Sequence, residues 1–155
     1  MNEFPGFPEG KMHFTGIPDL FFSTLLPDIE HLGELKITIY AFRLLHRMEG
    51  TFRYLRRENF SGDEIFMQGL AKDPARAEKI LDEALALCIE RKTFLKTSIE
   101  LETGSQDLYF LNSPKGRAAL QAVEAGEWRH SGDADAPLEL IPQAPNIFYL
   151  YEENI

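Results

Sequence analysis

The stretch from Gly33 to Met48 constrains this chain most, because it reads as a helix that is apolar on two sides. Leu35, Ile39, Phe42 and Leu45 recur at helical spacing along one stripe, and Ile37, Tyr40, Ala41, Leu44 and Met48 along a second. A helix with one apolar stripe can lie on a surface. One with two stripes has to be covered from both sides, so the expected place of this helix is the centre of the fold, with Gly50 ending it.

What surrounds that helix must come from the rest of the 155 residues, which allow one ordinary domain plus tails; 44% of them are hydrophobic, enough for a core. No run approaches the ~18 apolar residues of a membrane span, and the N-terminus lacks a secretory signal pattern. The sole cysteine, Cys88, sits in the apolar run Leu85–Ile89 and is expected to be a buried, inert thiol. These features predict a cytoplasmic protein with no membrane partner.

Residues 1–31 read as an N-terminal arm and a short helix. Phe4-Pro5-Gly6-Phe7-Pro8 and Phe14-Thr15-Gly16-Ile17-Pro18 are two aromatic clusters in which Pro and Gly oppose a helix. Asp19 to Leu26 is expected to be helical, with Pro27 stopping it. Phe7, Phe14, Ile17, Leu20, Phe21 and Phe22 are too apolar for a disordered tail and are the candidate oligomer interface.

After the central helix, Thr51–Leu55 reads as a short strand by its aromatic and β-branched content. Ser61-Gly62-Asp63-Glu64 is a capping box opening a short helix through Leu70. Asp73-Pro74 opens a longer one, with Ala77, Ile80, Leu81, Ala84, Leu85 and Cys88 on one face and an end near Arg91-Lys92. Phe94–Leu101 and Asp107–Leu111 form a predicted hairpin around a turn at Glu102–Gln106. Ser113-Pro114 caps a last helix, Lys115–Ala125, stopped by Gly126. Residues 129–145, rich in Asp, Ala and Pro, read as a linker whose removal would leave the core's stability almost unchanged. In Asn146–Ile155, Phe148, Tyr151 and Ile155 fall on one helical face, which reads as the first turn of a truncated C-terminal helical domain.

The order of helix, short strand, short helix, longer helix, hairpin and helix over residues 32–128 predicts an α+β, mostly helical fold, a winged helix-turn-helix with an N-terminal arm. Leu32–Leu45, the preceding Phe14, Ile17, Pro18 and Phe22, and the Tyr151-to-Ile155 pattern resemble DnaD-like replication initiation (primosome) proteins. That resemblance implies an N-terminal domain that forms homodimers or larger homo-oligomers and docks other replication-initiation proteins. It also implies that DNA is bound mainly through a C-terminal domain beyond this chain.

The charge agrees with a scaffold. The chain has 25 acidic and 16 basic residues, a net −9. The third helix, which would enter the major groove in a DNA-reading winged helix, carries Asp73, Glu78, Asp82, Glu83 and Glu90 against Arg76, Lys79 and Arg91. The one basic concentration is Arg43, Arg47, Arg53, Arg56 and Arg57, a candidate contact for DNA or an acidic partner, set against the plainer reading of a solvated face. His13, His31, His46 and His130 form no ligand pattern, and Glu30, His31 and Glu34 read as surface groups near a helix start. No phosphate-binding glycine motif and no nucleophile with a base is present, so neither enzyme activity nor a cofactor is expected. The alternative functions are a winged-helix transcription regulator that binds DNA directly and a plain dimerisation module.

Overall fold

A computed structural model describes residues 2–141 and shows an α+β fold. Chain order begins with α1, a π-helical turn Phe21–Leu25 continuing into Leu26–Asp28. Then come α2 (Leu32–Arg47), α3 (Arg57–Ser61), α4 (Glu64–Leu70) and α5 (Pro74–Arg91). The hairpin β1 (Phe94–Leu101) and β2 (Gly104–Leu111) follows, then α6 (Pro114–Glu124) and a small hairpin, β3 (Trp128–His130) and β4 (Leu138–Leu140).

α2 packs into the core, but the first of its two expected stripes is covered only in part, with Phe42 and Leu45 buried, Leu35 half-buried and Ile39 exposed. Ile37, Ala41 and Leu45 join Leu81, Ala84, Leu85 and Cys88 of α5 and Phe60, Met67 and Phe94 in the main core. Cys88 is fully buried there, its Sγ 3.5 Å from the Thr38 Oγ1, and burial pushes its thiol up to about 11. A second apolar cluster lies on the other face of the β1–β2 hairpin. Ile99, Leu108 and Phe110 meet Tyr54, Ala119, Val123 and Leu138. The alternation of a strand, successive side chains to opposite faces, lets one hairpin serve both clusters.

Several expected boundaries move, each for a local reason. Pro27 does not stop its helix. The Leu26 N–H reaches back to the Phe21 carbonyl, and this widened turn gives the proline ring room, so the helix continues to Asp28. The strand expected at Thr51–Leu55 is a single bridge, with Leu55 and Tyr109 exchanging both backbone hydrogen bonds at 2.8 Å. Ser61 closes α3, which the sequence reading lacked. The cap of α4 is Asp63, whose carboxylate accepts the Phe66 N–H at 3.0 Å. The β1–β2 ladder runs to Leu101–Gly104 and leaves a two-residue loop, Glu102-Thr103. Gly104, at φ +120°, reverses the backbone there, so the turn is tighter than the expected Glu102–Gln106. Asp73 and Ser113 cap α5 and α6 as their Ser/Asp-Pro pairs indicate.

The largest correction concerns the linker. Residues 129–141 are not an extended tether, because β3 pairs with β4 from Trp128–Leu140 to His130–Leu138. Leu138 is buried in the second cluster, and its N–H donates to the Tyr54 hydroxyl at 2.9 Å. The linker reading of 142–145 and the helical turn expected at Asn146–Ile155 lie outside the described residues.

Candidate interaction surfaces

The N-terminal arm runs over the first eighteen residues with no helix or strand before Asp19. Phe4 and Phe7 touch each other edge-to-face, ring centroids 5.0 Å apart, yet both stay exposed. Phe7 is 81% and Phe14 78% accessible, while Ile17 is half-buried. Prolines and glycines explain the extended backbone; they do not explain leaving this much aromatic surface in water. Leu20, just before α1, and Phe22 on it are also exposed.

Phe21 departs from the expected interface set. Only 2% of it is accessible, and its ring meets Phe42 of α2 with centroids 6.0 Å apart. It anchors the arm's base to this chain's own core and is not free for a neighbour. The physical reason is its direction: α1 turns Phe21 inward and Leu20 and Phe22 outward.

The five arginines do not form one basic face. Arg53 donates to the Gly50 carbonyl at 2.7 Å and to the Leu45 carbonyl at 3.0 Å, tying down the end of α2. Arg56 is buried; it donates to the Asp135 carbonyl at 2.8 Å and pairs with Glu58 at 3.3 Å. Arg57 lies against α5, donating to Asp82 at 2.8 Å and to Glu78. The Asp82 hydrogen bond raises its pKa, with burial opposing and Glu78 adding to the rise. Arg43 and Arg47 alone remain exposed on α2, and Arg43 sits 5.8 Å from the Tyr40 ring centroid.

Arg57 also changes the electrostatics of α5. It offsets Glu78 and Asp82 without making the helix basic. Asp82, Glu83 and Glu90 are exposed, and Glu83 faces the His31 Nε2 at 3.6 Å. The His31 Nδ1 accepts the Glu34 N–H at 3.0 Å, so His31 serves as the cap of α2.

Glu34 is the second correction. Read as a surface group, it is 1% accessible and receives Arg91 in a two-pronged pair, at 2.7 and 3.1 Å. The hydrogen bond to Glu34 raises the Arg91 pKa. The signal was in the spacing: Glu34 shares the helical face of Ile37, Thr38 and Ala41, and an acid on a buried face needs a cation.

Among the described residues, no three His, Cys, Asp or Glu side chains gather as metal ligands, and no helix is long and apolar enough to cross a membrane. Compared with protein-family models, curated proteins and solved structures, the chain has no match.

Proposed function

We propose that this chain is the N-terminal scaffold portion of a DnaD-like replication-initiation, or primosome, protein. In this reading it is a cytoplasmic, non-enzymatic winged helix-turn-helix domain that self-associates and docks other replication-initiation proteins. The order α2, Leu55 bridge, α4, α5 and β1–β2 hairpin supports the winged-helix reading. The observation that carries the functional reading is the arm, which presents Phe4, Phe7 and Phe14 to solvent. Apolar surface of that kind marks an interface, and a symmetric pair is the commonest assembly.

Direct DNA reading is the weaker alternative. An exposed face with Asp82, Glu83 and Glu90 would meet phosphate repulsion in a major groove, and Arg57 is held by its neighbours on that face. Two measurements test the proposal. Light scattering at tens of micromolar should return at least a dimer mass, and a monomer mass would sink it. Fluorescence anisotropy with a labelled duplex at about 0.15 M salt should show binding no tighter than the non-specific range, about 10⁻⁴ to 10⁻⁶ M. Submicromolar binding abolished by substitutions on α5 would instead establish a DNA-binding regulator.

A further inference from the structure

An open groove lies at the base of the arm, between α1 on one side and the β1 entry and α6 start on the other. Its volume is about 360 Å³. Leu20, Leu25 and Phe42 form one apolar wall, and Leu111 and Pro114 the other. Lys92 and Thr93 stand at its polar edge, and the Thr93 Oγ1 is buried with no hydrogen-bond partner among the described residues. No residue before Pro18 lines it. Among the described residues none fills this apolar groove, and an arm with unburied phenylalanines adjoins it.

We propose that the groove receives the N-terminal arm of a second copy of this chain, with Phe7 or Phe14 entering between Leu25 and Pro114. This rests on the self-association reading above and names the surface that receives the arm. Three observations select this occupant. Pro18 both ends the arm and lines the groove, so two copies facing across a twofold axis at this rim lead each arm to the other's groove. Three phenylalanines, at about 150–250 Å² each and present twice in a symmetric pair, bring the interface to roughly the size a stable complex needs. Lys92 at the groove edge complements Glu3 and Glu9 of the arm, which outnumber its one lysine, Lys11.

Chain-to-chain disulfide trapping tests the proposal. Full-length chains carrying Pro8→Cys or Thr15→Cys, each next to an arm phenylalanine that stays in place, are co-expressed with differently tagged chains carrying Thr24→Cys, an exposed groove position. The native Cys88 is buried and stays silent. Mild oxidation should link the two tagged chains, whereas Ile65→Cys, an exposed position on α4 outside the groove, should give no link when it replaces Thr24→Cys. A dimer mass without any arm-to-groove link would overturn the docking while leaving self-association intact. A monomer mass would overturn both. When arm and groove cysteines share one chain, a link formed only within that chain would show the arm folding back on its own groove, and would also overturn the proposal.

Discussion

The N-terminal arm and the segment from Trp128 to Ile141 both lack a sustained apolar period, yet they end in opposite situations. The arm is rich in phenylalanine and stays off its own core, with Phe4, Phe7 and Phe14 exposed. The later segment is acidic and proline-bearing, and it folds back as β3–β4 with Leu138 buried. Aromatic content therefore ranks the two segments the wrong way round. What separates them is anchorage. The later segment is tied down by the Tyr54 hydroxyl on the Leu138 N–H, by Arg56 on the Asp135 carbonyl, and by the Ile141 N–H on the Glu127 carbonyl. Among the described residues the arm's single comparable tie is at its base, where the Phe21 N–H meets the Pro18 carbonyl and Phe21 enters the core.

Substitutions can break this contrast, the largest effect falling on the anchored side. Leu138→Ala should destabilise the domain by about 2–5 kcal/mol, since a buried leucine is lost and a cavity remains. Urea unfolding would read this as a lower midpoint, and an unchanged midpoint would return residues 129–141 to the status of a tether. Next comes Tyr54→Phe, which strands the buried Leu138 N–H and should cost about 1–3 kcal/mol in the same assay. On the arm, Phe7→Ala and Phe14→Ala should each change the unfolding free energy of dilute, monomeric protein by less than about 0.5 kcal/mol. The same pair of changes should lower the light-scattering mass at tens of micromolar. A large loss of monomer stability would place the arm in its own core.

The smallest effect is a pH dependence at the acid end. The Tyr40 hydroxyl, and after it the Phe66 amide, hold the Asp63 carboxyl below the usual carboxylate range. A carboxyl that titrates lower in the folded state adds stability that is complete above its unfolded pKa, about 3.9, and is lost as pH falls through the folded value. Tyr40→Phe should therefore flatten the acid limb of the stability profile below about pH 4 and leave its neutral region less altered in shape. An acid limb of unchanged slope would show that the Tyr40–Asp63 contact makes no contribution.

Much of the fold was legible wherever a local rule acts on neighbouring residues. The apolar pattern of α2 placed it against the core although Ile39 of its first stripe is exposed, Asp73-Pro74 and Ser113-Pro114 located helix starts, and the Phe94–Leu101 strand was readable residue for residue. Those features depend on backbone capping and periodicity, which operate over a few residues. The candidate surfaces were legible in kind and less so in membership. The arm's exposed phenylalanines could be singled out from the sequence, but Phe21 could not be separated from them, because its burial depends on Phe42 in another helix. Likewise the five arginines are neighbours along the chain, while their partners, Glu78, Asp82 and the Asp135 carbonyl, come from distant segments. The sequence by itself determined a mixed helix-and-hairpin chain with a central helix, an aromatic arm and an acidic third helix. Only the tertiary structure decided that the supposed linker closes a second core and that most of the basic cluster is occupied. Such outcomes depend on which remote polar groups and apolar faces meet, and burial without a partner is too costly to leave that meeting to local pattern.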